Sequence, residues 1–400
     1  MADRKLRVAI VGGGIGGLAA ANALVRRDID VTVYERAPRL GEIGAGVFVH
    51  PNGVRQLRQL GLGEAVRSAG AVVGEGSAYF RQDGTRVAPV QTTDSSGTTR
   101  GCGMHRADLL GLLAGALPSE AIRTNKECTG FRQDAEAATV EFTDGTSATA
   151  DVVVAADGIQ SVLQRSVTTP GTPVHSGSIA FRGLIPATEL PWWPTEVLHL
   201  WMGEGKHFMV YPVRGGTLLN YVAFIPSDER ASESWSAPGD PDALRAAFAG
   251  WDSRVERLLA EVDRCYWWGL YDREPLDRWT DRRLTLLGDA AHPMLPHLGQ
   301  GANQAIEDGV ALAVLLDAGR DDPLGALQEY ERLRRPRTSQ VQDAARANGR
   351  RYDSAYADLR QRDAEIVSSV DLRLWLSDYD VRDEAERAAG LEAAKVSGAL

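Results

Sequence analysis

The sequence predicts an α/β fold in two intertwined parts: a parallel sheet layered with helices, an antiparallel sheet inserted into it, and a helical tail. Three observations predict it. Strand, glycine-rich turn, helix and second strand follow one another within residues 7–35. Alternating apolar stretches rich in Trp and Tyr fill residues 172–270. Strand, glycine turn and helix then return in RLTLLGDAAHPMLPHLGQGANQAIEDGVALAVLL, and the chain is charged, amphipathic and helical from Leu324 onward.

Arg7 to Val11 reads as a short apolar strand, Leu18 to Arg26 as a helix packed on it, and Asp30 to Tyr34 as a β-branched strand ending at Glu35. PNGVRQLRQLGL spaces Val54, Leu57 and Leu60 on one helical face and stops at Gly61; HRADLLGLLAGAL is a further helix. AATVEFTDGTSATADVVVAADG predicts a hairpin turning at Asp144-Gly145, then a strand from Asp151 to Ala155 and a turn at Asp157-Gly158. VLHLWM, HFMVYPV and LLNYVAFIP carry the period-two pattern of antiparallel strands.

A chain of 400 residues and 43.2 kDa supports two to three domains and a large core. Hydrophobic residues at 44% and charged residues at 24% predict an ordinary globular protein. A net charge of −10 and a pI near 5.3 argue against nucleic acid and anionic membrane as partners, since both need clustered Lys and Arg. The apolar run in MADRKLRVAIVGGG is too short for a signal peptide, and no stretch approaches ~18 apolar residues, so the expected location is the cytoplasm. Cys102, Cys128 and Cys265 have no metal-like spacing and read as buried or idle thiols, and no metal site is expected.

Gly12-Gly13-Gly14-Ile15-Gly16-Gly17 satisfies G-x-G-x-x-G between a strand and a helix. Gly12 permits the tight turn, Gly14 lets the backbone approach a pyrophosphate, and Gly17 lets the helix close on the strand. The helix N-terminus offers N–H groups and a positive dipole to phosphate. Glu35, at the tip of the second strand, is placed to accept hydrogen bonds from a ribose, with Arg36 beside it. These residues predict a Rossmann-like dinucleotide site without choosing between NAD and FAD.

The choice comes from Gly288-Asp289-Ala290-Ala291-His292-Pro293, followed by Gly299-Gln300-Gly301-Ala302-Asn303. With the first glycine turn and Asp157-Gly158, these motifs resemble the FAD-dependent aromatic hydroxylases, single-component flavoprotein monooxygenases that include para-hydroxybenzoate hydroxylase and salicylate hydroxylase. The branch of salicylate hydroxylase, 3-hydroxybenzoate 6-hydroxylase and 6-hydroxynicotinate 3-monooxygenase is the most similar. The resemblance covers residues 7–330 and implies a para-hydroxybenzoate hydroxylase-like fold. An FAD-binding domain is then expected at 1–75, 101–171 and 271–330, a substrate domain at 76–100 and 172–270, and a C-terminal helical segment at 331–400.

It further implies that Asp289 holds the ribityl chain of FAD, and that the helix beginning near Gly301, with Ala302 and Asn303, aims N–H groups at the flavin pyrimidine. Arg106, in His105-Arg106-Ala107-Asp108-Leu109, matches the arginine placed near the FAD phosphate and ribose. Asp157 supports the FAD end and the approach of the reductant. The family pattern D-G-x-x-S-x-x-R is met by Asp157, Gly158 and Ser161, but Gln164 stands at the arginine position and Arg165 one later. No second G-x-G-x-x-G exists, so NADH or NADPH is expected as a transient co-substrate, and the assembly as a monomer or homodimer.

The implied reaction transfers OH from a flavin hydroperoxide, formed with O2, to a small phenolic or N-heteroaromatic acid, with or without loss of a carboxylate. The protein must then bind the ring, exclude water and help deprotonate its hydroxyl. His207 and Tyr211 lie four apart on a strand and so share a sheet face; they resemble the substrate-contacting His and Tyr of the hydroxybenzoate and hydroxynicotinate branch. His297, in Pro296-His297-Leu298-Gly299-Gln300-Gly301, resembles the histidine beside the reactive flavin edge. His207, Tyr211 and His297 are therefore the catalytic candidates. His292 reads as structural, His105 belongs to the arginine motif, and His50, His175 and His199 have no matching spacing. Where the hydroxynicotinate branch carries a His in its G-A-G-x-x-x-x-P-N segment this chain has Phe48, with His50 two residues on.

Most of the middle-domain aromatics, Trp192, Trp193, Trp201, Trp267, Trp268, Tyr221 and Phe224, read as core, with one or two lining a pocket. Arg182 and Arg214 are candidate partners for a carboxylate, with a surface ion pair the commoner fate of such arginines. Trp375 to Tyr379 resembles a C-terminal element that packs over the FAD domain or a neighbouring subunit. Three alternatives stay open: a hydroxylase or epoxidase of a larger natural-product ring, a flavin dehydrogenase or oxidase, and a non-enzymatic FAD-binding protein.

Overall fold

The computed structural model describes residues 5–41, 45–227 and 237–391, so Gly44 of the G-A-G segment lies outside the described residues. Six strands form the first sheet, in the order Thr280–Asp281, Leu284–Leu286, Val152–Ala155, Arg7–Val11, Asp30–Tyr34 and Ile122–Arg123. All pair in parallel except the first two. Val8, Ile10, Val152, Val153 and Val154 are all buried, the pattern of a parallel sheet covered on both faces. The hairpin turns at Gly145 (φ 78°) between Ala138–Phe142 and Ser147–Ala150. Asp151, expected as the first residue of the next strand, instead accepts from the backbone N–H of Arg7 at 2.9 Å and from its guanidinium at 3.0 Å.

The first helix runs Ile15–Val25, starting before Leu18 because Gly14 takes the cap position directly after the glycine turn. It lies against the helix Gly301–Ala318, and Gly309 permits the approach: a Cβ there would sit 2.6 Å from the backbone nitrogen of Ala20.

The inserted sheet has eight strands in the order Ala237–Gly239, Cys265–Asp272, Val174–Pro186, Leu218–Pro226, Lys206–Val213, His199–Gly203, Ala78–Arg81 and Arg86–Pro89. Pairing is antiparallel except between Ala78–Arg81 and His199–Gly203. Period two divides its faces. Phe208, Val210, Tyr221 and Ala223 turn into a core with Trp201, Phe248 and Leu258, while Met209, Tyr211, Asn220, Val222 and Phe224 turn toward the first sheet's helices and loops. Trp201 donates its indole N–H to Asp252 at 2.7 Å, and most of the expected core tryptophans are there.

The tail comprises the helices Pro323–Asp353, Leu359–Ser368, Val370–Asp378 and Val381–Ala388. The expected division between residues 330 and 331 falls inside the first of these, a continuous helix of 31 residues. That helix is joined to Gly301–Ala318 by a fully buried charge cluster. Arg334 pairs with Glu307 at 2.7 Å and Asp308 at 2.8 Å, Arg337 pairs with Glu307 at 2.9 Å, and His292 meets Asp308 at 2.6 Å. Arg337 also stacks on the Tyr379 and Trp375 rings at 3.6 and 4.5 Å. Arg55 donates to the carbonyls of Ser377 and Tyr379, so this tail segment packs over the first domain of its own chain.

Removing one partner of a buried ion set strands the others, at a cost of about 3–5 kcal/mol. Arg334→Ala is therefore expected to lower the urea unfolding free energy by that amount, with Arg334→Lys falling between it and the wild type; an unchanged midpoint would contradict the cluster's role.

Candidate active site

Two cavities adjoin between the sheets. The outer one, about 640 Å³, is walled by Gly12, Glu35, Arg36, Lys126 and Asp157; the inner one, about 310 Å³, by Phe48, Arg182, Tyr211, Asn220, Phe224 and Trp268. Gly14, Arg106, Ala156, Gly158, Ile159 and Asp289 line both, which makes one continuous trench.

The glycine turn closes the outer end. Gly12 has φ 111°, and a Cβ there would meet the carbonyl oxygen of Ala156 at 2.2 Å; a Cβ on Gly17 would meet the carbonyl oxygen of Gly12 at 2.1 Å. Gly14 differs: its Cβ would meet no atom within 4 Å, although the residue lines both cavities. Gly12 and Gly17 are thus required by the chain itself, whereas the open space at Gly14 fits the close approach of a dinucleotide. Glu35 accepts from the N–H of Gly13 at 2.7 Å and of Ala37 at 2.8 Å, holding the loop while lying on the trench wall. Asp157 accepts from the N–H of Val162 at 2.9 Å, and burial raises its carboxyl pKa above the usual range.

Asp289 is exposed into the trench on the turn Gly288–Ala290. Asp308 holds this turn by accepting from the Gly288 N–H at 3.1 Å and from His292. Gln164, at the position where the family has arginine, holds its other side by donating to the Ala290 carbonyl at 2.9 Å. Gly301 and Ala302 line the inner cavity at the start of a helix, where the first N–H groups have no helical acceptor. Asn303 does not reach the trench with its side chain. It is fully buried, donating to the carbonyls of Phe48 and Gly299 and accepting from the His50 N–H at 2.9 Å, so it fixes the segment that carries Phe48.

Of the three catalytic candidates, Tyr211 is on the inner wall. Burial raises its hydroxyl pKa well above the ordinary tyrosine value, so it is a neutral hydrogen-bonding group. Asn220 pairs with it across two strands; its Oδ1 accepts from the Gly46 N–H at 2.7 Å, and its side chain lies beside the Tyr211 hydroxyl. Arg182 is only 5% exposed, on the same wall, with its guanidinium 5.2 Å from the Trp268 ring.

His207 shares the Tyr211 face but stands behind Phe224, stacked on that ring at 4.0 Å. His297 lies 5.3 Å from both rings, in the short turn Pro296–Leu298, whose Pro296 and following Gly299 line the inner cavity. The helix Pro323–Asp353 covers this end of the sheet, and Asp353 contacts His207 Nδ1 at 2.6 Å. Strand periodicity shows which face His207 occupies; it cannot show that a helix 140 residues onward covers that end. Burial lowers the His297 pKa to about 3. Arg214 lies off the trench, paired with Asp108 through two contacts of 2.8 Å. Asn220, the lone amide in the apolar strand LLNYVAFIP, is the wall residue that sequence reasoning could have found and did not. Asp353 had no comparable signal.

His50 and His297 have pKa values lowered to about 3, and His199 to about 4, all mainly by burial. In the unfolded chain each titrates near 6.5, so their contribution to stability is complete above that pH and is lost as pH falls toward the folded values. The unfolding free energy is expected to drop between pH 7 and pH 5; a flat profile there would contradict the burial. Gly14→Ala is expected to leave the melting temperature of the FAD-free chain unchanged while weakening FAD retention, and Gly17→Ala to lower both; equal melting losses would contradict the distinction.

The FAD binding domain family matches residues 5–345. The 3-amino-4-hydroxybenzoate 2-monooxygenase of Streptomyces cremeus is 40% identical over 350 residues, covering 86% of this chain and 87% of that one. The 3-hydroxybenzoate 6-hydroxylase 1 of Aquipseudomonas alcaligenes is 37% identical over 354 residues, covering 85% and 87%. Among solved structures, a salicylate hydroxylase substrate complex superimposes with a TM-score of 0.83 at 29% identity, covering 96% of this chain and 98% of that one. With a trench whose glycine turn, Asp289 loop and helix start fit the cofactor, the chain belongs to the FAD binding domain family and is one of its FAD-dependent aromatic monooxygenases.

Proposed function

We propose that this enzyme hydroxylates a single-ring hydroxybenzoate, with 3-amino-4-hydroxybenzoate as the first substrate to test, using NAD(P)H and O2. The observation that carries the reading is Arg182, a buried cation on the inner cavity wall beside Tyr211 and Asn220. A guanidinium in that setting matches a carboxylate in charge and fork geometry. The inner cavity, about 310 Å³, must hold the flavin ring as well as the substrate, which favours a single-ring substrate over a larger natural product. The name of the 40% identical relative supports the amino-hydroxy acid in particular.

FAD, held by the glycine turn, Glu35, Arg106, Asp157, Asp289 and the first turn at Gly301 and Ala302, supplies the oxygen-transfer chemistry when bound. The protein groups do the rest. Arg182 holds the carboxylate and so sets which ring carbon is presented. Tyr211, with Asn220 beside it on the same wall, hydrogen-bonds the ring hydroxyl and steadies it as its proton leaves, which raises electron density in the ring. His207 and His297, packed together behind Phe224, are assigned as the route by which that proton leaves. Phe48, Phe224 and Trp268 exclude water. We further propose a cytoplasmic location, as a monomer or homodimer. No helix among the described residues is long and apolar enough to cross a membrane.

A panel of hydroxybenzoates and hydroxynicotinates, read for stimulated NAD(P)H oxidation and for oxygenated product, tests the reading. Arg182→Ala is expected to raise KM for the acid roughly 10- to 100-fold, about 1.4–2.8 kcal/mol, with FAD content unchanged. The corresponding methyl ester should be equally poor for both proteins. Unchanged KM, or NAD(P)H oxidation that yields only peroxide with every acid, would overturn it.

A further inference from the structure

We propose that Asp353 is a positioning residue that fixes His207 as the Nδ1–H tautomer, and that the last turns of the helix Pro323–Asp353 form a cradle for the His207–His297 pair. The proposal rests on the assignment of that pair to the substrate's proton. Three contacts from one end of this helix carry it. Asp353 Oδ1 lies 2.6 Å from His207 Nδ1, Asn348 Nδ2 donates to the His297 carbonyl at 2.7 Å, and Gly349 lies under the His297 ring.

A carboxylate only accepts, so the shared proton belongs to Nδ1 of His207, and in the neutral ring Nε2 is left as the acceptor. Asp353 thus decides which nitrogen of His207 can take a proton. Gly349 addresses the neighbouring ring. Glycine weakens a helix interior, yet here a Cβ would come within 2.5 Å of His297 Cδ2 and 2.7 Å of Nε2. Gly349 and Asp353 are four apart and share one helix face, so one face serves both histidines. The helix end is tied to the sheet where the Gly205 N–H donates to the Asp353 carbonyl at 2.6 Å. The titratable groups facing His207 are Asp353 and Tyr352 from this helix and His297 from its turn.

The donor atoms of His207, His297 and Asp353 lie within 4.8 Å of one another, so a metal site competes as an explanation. The His207–Asp353 separation decides against it. Two ligands at 2.0–2.1 Å around a tetrahedral ion stand about 3.3 Å apart, whereas 2.6 Å is a charge-assisted hydrogen bond.

The test uses the FAD-loaded enzyme. Long-range 15N–1H spectra of the imidazoles should show His207 as Nδ1–H in the wild type, and should lose that signature in Asp353→Ala. Asp353→Ala and the near-isosteric Asp353→Asn are expected to lower kcat at least 10-fold, with KM for the acid and FAD content within about two-fold, and Asp353→Glu to restore most of the rate. Gly349→Ala, which displaces His297, should lower kcat in the same way. Wild-type kcat in Asp353→Ala and Asp353→Asn, or an Nε2–H tautomer in the wild type, would overturn the proposal. His207→Asn separates the levels: slow turnover there with normal turnover in the Asp353 variants sinks this proposal alone, whereas normal turnover in His207→Asn sinks the assignment of His207 beneath it.

Discussion

A buried set of four charges holds the working parts of this enzyme together. Glu307 and Asp308 sit side by side on the helix that begins at the inner cavity, and Arg334 and Arg337 reach them from the tail helix. None of the four is more than 6% exposed, so each depends on the others for its solvation. Asp308 passes the constraint on to the Gly288 N–H and His292, which fixes the turn that presents Asp289 to the trench. Glu307 accepts from Asn52, which extends it to the segment carrying Phe48 and His50. One electrostatic knot therefore sets the position of Asp289, the helix start at Gly301, and the C-terminal helix whose end contacts His207 and His297.

The inner cavity depends on a second constraint, the two-residue period of the inserted sheet. Phe208 and Val210 face a core, so Met209 and Tyr211 must face the trench, and the partner strand places Asn220, Val222 and Phe224 beside them. A one-residue slip would exchange the two sets and empty the wall of its polar groups. The same sheet brings in Arg182 from the adjoining strand, where Trp268 covers its guanidinium.

Much of this was legible in the sequence. The strand, glycine turn and helix around Gly12–Gly17, the loop at Asp289, the inserted antiparallel strands and the helical tail all follow from local pattern, because each is set by residues near one another in the chain. The face of Tyr211 was readable from strand periodicity, whereas Arg182 was flagged by residue type alone, together with Arg214. The relation of His207 to the cavity was not, because a helix far along the chain covers that end of the sheet. The side-chain role of Asn303 escaped for a similar reason: its partners, Phe48 and His50, come from a strand and turn some 250 residues earlier. Gln164 departs from the family pattern yet still supports the Asp289 turn, through a contact with Ala290 that spacing alone does not reveal.

If the trench is one site, a single FAD should span both cavities with its reactive ring against the wall that holds Arg182. A crystal structure of the enzyme with FAD and 3-amino-4-hydroxybenzoate measures this directly. The expected result is the adenosine half beside Glu35 and Arg36, the flavin ring at the start of the Gly301 helix, and the acid's carboxylate on Arg182. A flavin confined to the outer cavity, or an acid bound away from Arg182, would contradict it.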